Sequence, residues 1–558
     1  MLPLELERLH RQGLFSDVAL HFAGLLRELD DGADENLLLA ACLAVESNLG
    51  GHVCIDLREW AGHLPGREVK EFADIATPDI DSWLRVLRAS PVVGTPGAFC
   101  PLILDTHDRL YLQRYWAYEN RLACSLRRMA DSRLPVPERR VLASHLDRLF
   151  GVLPENQSDW QRAAAVVALS RRLCVISGGP GTGKTSTVAR LLALLICCSG
   201  AQRLRIGLAA PTGKAAARLH ETMHDACEQL PIDRDQLSQI PGEATTIHRL
   251  LGYEPESGGF RFGTNQSLAL DVLVVDEASM VDLALMARLV DALPESARLV
   301  LLGDKDQLAS VEAGSVLGDI CDGPEDCYSS ALDAELEHLC GIRECGSATA
   351  ATTIGDCIVL LKRSYRFAGD SGIGRLARTV NVGEASAAVE ILRSGEGEEV
   401  ALLDPGQSET EAEMLQVFEE GYVPYLETAE PKQALDAFNR FRVLCALRHG
   451  PAGTERINAL VESYLAQRGL VDPRQRWYRG RPIIITRNDY SLKLFNGDTG
   501  VLLPDTAEDG RMKAFFQDAR RGVRSVPPAL LPDHETVYAM TVHKSQGSEF
   551  ERVLMLLP

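Results

Sequence analysis

No stretch of the 558 residues approaches the ~18 consecutive apolar side chains that a membrane-crossing helix needs. The opening Met1-Leu2-Pro3-Leu4-Glu5 supplies no basic segment ahead of an apolar one, so a secretory leader is not expected either. The sequence reads as a soluble, cytoplasmic protein with no membrane partner. Positive charge is in deficit: 58 Lys and Arg face 78 Asp and Glu, a net −20, which argues against a uniformly cationic coat but leaves room for a local basic groove. Two-residue cysteine knuckles are missing from the one cluster that suggests zinc, Cys321, Cys327, Cys340 and Cys345, whose gaps are five and four residues. Thiols in apolar runs, Cys174, Cys197, Cys198 and Cys445, are expected to be reduced and buried. No internal repeat is evident. With 46% hydrophobic and 24% charged residues, neither a disordered tail protein nor a low-complexity fibre fits. At about 150 residues per domain, the length suggests three or four domains.

Residues 1–150 carry stretches that read as amphipathic, such as Glu35 to Ala44, and an aromatic segment from Tyr111 to Tyr118, but no phosphate loop or metal pattern. They are expected to form a mainly helical partner-docking domain. After a Pro-containing stretch, short apolar runs alternate with helical periodicity, which predicts parallel α/β layers. Runs at 173–177, 204–210, 272–275 and 298–302 are apolar on both faces, as buried parallel strands require. They suggest a first nucleotide-binding domain over 151–360. Within it, 321–356 is rich in Asp, Glu, Gly and Cys with weak periodicity, and is expected to be a surface insertion. A second α/β domain is expected over 361–477, with a strand at 442–447 and a helix bearing Ile457, Leu460, Val461 and Tyr464. Segments at 481–486, 499–503 and 512–516 predict a β-rich insertion over 478–536, and 537–558 returns to the second domain.

Gly178-Gly179-Pro180-Gly181-Thr182-Gly183-Lys184-Thr185 matches GxxxxGK[ST] between an expected strand and helix. Its glycines let backbone N–H groups curl around phosphate oxygens. Lys184 reaches the β and γ phosphates, and the Thr185 hydroxyl is placed for Mg²⁺ at the helix's positive end. Val272-Leu273-Val274-Val275-Asp276-Glu277 ends a strand in two carboxylates, of which Asp276 suits the metal shell and Glu277 a general base. Downstream, Gln307 offers a neutral amide able to sense a γ-phosphate. Arg366 places a guanidinium at the start of the second domain, where it could stabilise developing phosphate charge across a cleft.

In order and spacing these motifs resemble those of the superfamily 1B DNA helicases of the RecD type, over most of 150–558. Asp276-Glu277-Ala278-Ser279-Met280 is similar to the family's second motif, Gly303-Asp304-Lys305-Asp306-Gln307-Leu308 to its third, and Ser364-Tyr365-Arg366-Phe367 to its fourth. Ala210-Pro211-Thr212-Gly213-Lys214-Ala215-Ala216-Ala217-Arg218-Leu219 and Thr246-Ile247-His248-Arg249-Leu250-Leu251-Gly252 resemble DNA-facing motifs, implying DNA contacts at Pro211, Thr212, Lys214, Thr246 and His248. Thr541-Val542-His543-Lys544-Ser545-Gln546-Gly547-Ser548-Glu549-Phe550 resembles the fifth motif. It implies DNA contacts at Thr541 and His543 and nucleotide contacts at Gly547 and Glu549. Gln161 lies where relatives recognise adenine, and an amide that both donates and accepts suits that base.

The resemblance implies two RecA-like domains with an SH3-like β insertion, ATP and Mg²⁺ as cofactors, and 5′-to-3′ unwinding of DNA ends for recombinational repair. The phosphate loop begins at residue 178, which leaves little room for the long extension of stand-alone relatives and favours the alpha subunit of exodeoxyribonuclease V. Its implied partners are the beta and gamma subunits, single-stranded DNA and duplex-end DNA. No metal-carboxylate nuclease site is evident, and in the family the beta subunit carries that activity. Only eight residues follow Phe550, so the sixth motif is absent and a truncated gene or a fragment is expected. Losing an arginine finger costs ~10³ to 10⁵ in turnover, so nucleotide binding is expected to outlast efficient hydrolysis. The alternatives are a non-motor assembly subunit, a stand-alone helicase of this type, and an RNA-directed helicase.

Overall fold

Strands that are apolar on both faces can be buried only between two helical layers. The computed structural model describes residues 3–62, 77–154, 157–200, 202–254, 256–343, 352–363, 371–395, 399–403, 410–489, 491–506, 508, 510–518 and 522–558. It shows that arrangement. Six parallel strands make the first sheet, in the order Ile358–Leu361, Leu173–Gly178, Arg298–Gly303, Val272–Val275, Ile206–Ala210, Thr245–Thr246. Because all run one way, their carboxyl ends share one edge, where open α/β sheets bind ligands. One face is covered by helices Arg139–Phe150, Trp160–Ser170, Lys184–Cys198, Gly213–Glu228 and Ser330–Cys340, through Leu146, Val167, Leu192, Leu219 and Leu336. Helices Gln113–Asp131, Ile247–Leu250 and Leu283–Asp291 cover the other, through Leu122, Ile247 and Met286. Each such fully buried side chain contributes about 1.5–3 kcal/mol.

Among the described residues of 321–356, helix Ser330–Cys340 is not part of the surface insertion that the composition suggests. It buries Leu332, Leu336, Leu339 and Cys340 in the same core as Trp160–Ser170. Asp333, Glu335 and Glu337 occupy the turns between those positions, so composition averaged over both faces hides the apolar one. Beyond the helix, buried Asp356 pairs with buried Arg171 at 2.6 Å and accepts from the Ser329 N–H at 2.7 Å. Cys345 lies outside the described residues, and burial pushes the Cys340 thiol well up and the Cys321 thiol up to about 11.

At the N-terminus, helices Leu4–Arg11, Asp17–Leu29, Glu35–Leu49 and Ile80–Ala89 pack with a four-stranded sheet, Cys54–Asp56, Arg109–Leu112, Leu102–Leu104 and Val93–Gly94. The helix Glu35–Leu49 is not amphipathic: Leu37 to Val45 are buried without a break, because neighbours enclose it on every side. Near the C-terminus, three parallel strands, Ala539–Thr541, Phe441–Cys445 and Arg552–Leu556, pack against helices Thr410–Leu426, Pro431–Arg440 and Thr454–Gln467. Between them lies an antiparallel sheet, in order Gly522–Val526, Arg511–Asp518, Thr499–Asp505, Pro482–Ile485, His534–Thr536. The fold is thus α/β, with two parallel sheets, a β-rich insertion and a mainly helical N-terminal part, as the sequence predicts.

Candidate functional site

The strand Leu173–Gly178 runs into a tight loop that the helix Lys184–Cys198 closes. Gly181 and Gly183 adopt φ of 75° and 80°, a left-handed backbone that glycine enters without a Cβ clash. A Cβ at Gly178 would come within 2.8 Å of Thr182 Oγ1 and 2.9 Å of Leu361 Cβ, and one at Gly183 within 2.6 Å of Gln161 Nε2. Lys184 Nζ donates to the carbonyls of Gly178 at 2.6 Å and Gly179 at 3.2 Å, and Thr182 Oγ1 to that of Gly179 at 2.9 Å. Pro180 is exposed at the loop tip, and Thr185 is half-buried in the first helical turn. Gln161 Nε2 donates to the Thr182 carbonyl at 3.2 Å, while its Oε1 accepts from Arg190 at 3.1 Å. Its amide therefore braces the loop from behind.

Three carboxylates meet the lysine. Asp276 follows strand Val272–Val275, and Asp304 follows strand Arg298–Gly303. Glu277 sits at φ 51°, a conformation costing a non-glycine residue about 1–3 kcal/mol, with its N–H on Asp276 Oδ1 at 2.9 Å. Burial pushes all three acids up from the usual carboxylate range; for Glu277 the charges of Asp276 and Asp304 add to it, while Lys184 pulls all three down. Arg218 exerts the same pull on Asp276 and Glu277. The turn carrying Asp304 is tied to the phosphate-loop strand by Lys305 N donating to Ser177 Oγ at 3.0 Å. On that turn, Gln307 Oε1 is buried without a hydrogen-bond partner among the described residues, which costs about 1–3 kcal/mol. A glycine cradle, a central ammonium, clustered acids and a dry acceptor suit a phosphorylated ligand with a divalent cation.

The C-terminal α/β unit reaches this edge through one turn. After strand Ala539–Thr541 and helix Val542–Ser545, Gln546 Nε2 donates to the Leu308 carbonyl at 3.0 Å. Lys214 Nζ donates to Ser548 Oγ at 2.6 Å, and Arg218 holds the Gly547 carbonyl at 2.8 Å and pairs with Glu549. Half-buried Lys214 is therefore engaged at the junction; burial lowers its ammonium pKa, and Asp498 opposes the shift. The Phe495 ring lies against Gly213, where a Cβ would meet it at 2.5 Å.

The hydroxyls of Thr212, Thr246 and Thr541 cap three helices, accepting from the N–H of Ala215 at 3.1 Å, Arg249 at 3.3 Å and Lys544 at 3.3 Å. Each threonine sits where a strand passes into a helix at the carboxyl edge of its sheet, and Pro211 directly precedes the first. His248 packs against Tyr253 and Phe260, with ring centroids at 5.7 and 5.8 Å, and desolvation lowers its pKa against the pull of Asp282. His543 is exposed. Arg366 lies outside the described residues. Sequence reasoning passed over Arg190, and placed Asp304 and Arg218 within their motifs without giving either a role. For Arg218 a signal existed: it stands one helical turn after Lys214 and shares its face.

Two parallel sheets, the first ending in a phosphate loop and joined to the second unit by the turn at Gly547 to Glu549, place the chain among the paired RecA-like, P-loop proteins. Comparison with known proteins narrows the class. Residues 11–111 match the family model described as RecBCD enzyme subunit RecD, N-terminal domain, and residues 161–313 one described as an AAA domain. The chain is 42% identical over 548 residues to the RecBCD enzyme subunit RecD of Mycolicibacterium smegmatis, covering 97% of this chain and 87% of that protein. It is 39% identical to that of Mycobacterium tuberculosis over 98% of this chain and 87% of that protein. To that of Haemophilus influenzae it is 37% identical, over 80% and 72%. The chain belongs to the RecD family of RecBCD enzyme subunits.

Proposed function

We propose that the chain is an ATP-driven DNA helicase subunit of the exodeoxyribonuclease V (RecBCD) complex, moving 5′ to 3′ along one strand to unwind duplex ends for recombinational repair. The observation that carries this reading is the meeting of Lys184 with Asp276, Glu277 and Asp304 on the edge that Gly547 to Glu549 bridges. Backbone N–H groups of Gly178, Gly179, Gly181, Thr182 and Gly183, around the tip made by Pro180, would hold the phosphates with Lys184, and Thr185 and Asp276 the magnesium. Magnesium, when bound, supplies charge neutralisation across the phosphates. Glu277, its carboxylate raised by burial, is the better proton acceptor for it. Gln307 offers its dry Oε1 as the phosphate sensor, and Arg366 would act from the second unit. Gly547 and Glu549 would meet the nucleotide from that side, and Gln161 steadies the loop beside its base.

DNA would run along the threonine-capped helices at Pro211, Thr212, Thr246 and Thr541, with Lys214, His248 and His543 alongside. Backbone N–H groups at such termini hold phosphates without reading bases. We divide the chain into a partner-docking part, 1–150, a first motor domain, 151–360, and a second, 361–477 with 537–558, interrupted by 478–536; the subunit would dock on the gamma subunit and work beside the beta subunit. Lys184→Ala is expected to lower DNA-stimulated ATPase about 10²-fold or more, measured by steady-state phosphate release with a single-stranded oligonucleotide. Unchanged turnover refutes the assignment.

A further inference from the structure

One guanidinium stands between the nucleotide edge of the first sheet and the turn of the second unit. Arg218, on helix Gly213–Glu228, donates to the Gly547 carbonyl at 2.8 Å and pairs with Glu549. The acids that its charge also pulls on, Asp276 and Glu277, belong to the first unit. One turn earlier, Lys214 Nζ holds Ser548 Oγ at 2.6 Å, so three consecutive residues of the turn are gripped by two side chains of one helix face. Gly547, at φ 70°, gives the turn the backbone freedom to present its carbonyl.

We propose that Arg218 is a positioning residue for hydrolysis: its guanidinium fork holds the Gly547–Glu549 turn at the nucleotide edge and couples the movement of the second unit to the state of that edge. The inference rests on the nucleotide site proposed above. A planar fork can hold a carbonyl and a carboxylate together, whereas a lysine ammonium acts as a single point charge on a flexible stem. Arg218 and Glu549 are both partly exposed, so the pair is worth little as a static bond. Its worth lies in which two bodies it joins. Glu549, expected to meet the nucleotide, pairs here with Arg218, so the two engagements draw on one carboxylate.

The test uses the full chain with R218M, R218K and, in parallel, K184A. DNA-stimulated ATPase is measured across ATP concentrations, and backbone deuterium uptake is followed over residues 542–550. For R218M, kcat is expected to fall about 10-fold with KM for ATP changed less than about 3-fold, the pattern of a group that acts after substrate is bound. Deuterium uptake over the turn is expected to rise in the same variant, since the turn has lost its anchor. R218K, keeping the charge but not the fork, is expected to fall between R218M and the parent in both readouts. A parent-like kcat in R218M, unchanged uptake over the turn, or a loss expressed wholly in KM overturns the proposal. If K184A abolishes turnover while R218M does not alter it, the coupling role alone is wrong; if K184A keeps parent turnover, the nucleotide site is wrong and this inference falls with it.

Discussion

Asp304 illustrates what a single buried carboxylate costs and what it is kept for. Only 7% exposed, it is pushed up from its usual range by burial, and the Lys184 charge and the Asp306 N–H recover only part of the shift. A carboxyl whose folded pKa lies above its unfolded one binds more protons folded than unfolded between those two values, so it destabilises the protein at neutral pH and the penalty fades as pH falls. Asp304→Asn is therefore expected to raise Tm at pH near 7, with the gain shrinking as pH approaches the unfolded carboxyl value of about 3.9. Turnover should fall in the same variant. Thermal melts across that range check it, and a lower Tm at neutral pH would contradict the sign. Glu277→Gln should retain nucleotide affinity while slowing hydrolysis, read by equilibrium binding beside single-turnover kinetics; matched losses of both would remove the base assignment.

Helix Ser330–Cys340 holds its place through Leu336, which is fully buried against Trp160–Ser170. Leu336→Ala is expected to cost about 2–5 kcal/mol in a denaturant titration, because the cavity cannot fully collapse. Removing Asp356 by D356A should cost about 3–5 kcal/mol, since it strands the buried Arg171 charge. A loss below 1 kcal/mol in both, an amount typical of a solvated site, would return this segment to the surface. The same helix shows where reading the sequence stops. Strands such as Val272–Val275 were legible because four buried apolar residues in a row permit few other fates. The phosphate loop was legible because its glycine spacing is a local backbone demand. Ser330–Cys340 was not, because its acidic turns dominate its composition, nor was Glu35–Leu49, whose enclosure on all sides depends on neighbours. Arg218 was visible within its motif, but its role was hidden for a plainer reason: its partner Gly547 lies 329 residues away.

Over the whole molecule a charge of −20 repels polyanions, so DNA must be held by short-range contacts. The threonine-capped helix termini suit this, because N–H groups and hydroxyls release few counterions. The slope of log affinity against log salt for a single-stranded oligonucleotide is expected to be shallow, at about −2 or less steep, where each cationic contact adds about −0.7. Fluorescence anisotropy across a salt series measures it, and a slope near −6, which at ~0.7 per contact means about nine cationic contacts, would refute this expectation. Co-expressed beta and gamma subunits are expected to elute with the chain as one species on size exclusion.

The route by which the backbone leaves the first sheet gives the motor its mechanical character. Strand Ile358–Leu361 lies beside Leu173–Gly178, with Leu361 level with Gly178, and the Arg171–Asp356 pair pins the root of that strand. Lys362, next in line, pairs with Asp326 and lies 4.7 Å above the Trp160 ring, whose neighbour Gln161 braces the loop. The last residue of that strand thus stands level with the first glycine of the phosphate loop, so strain reaching Leu361 is felt at the loop itself.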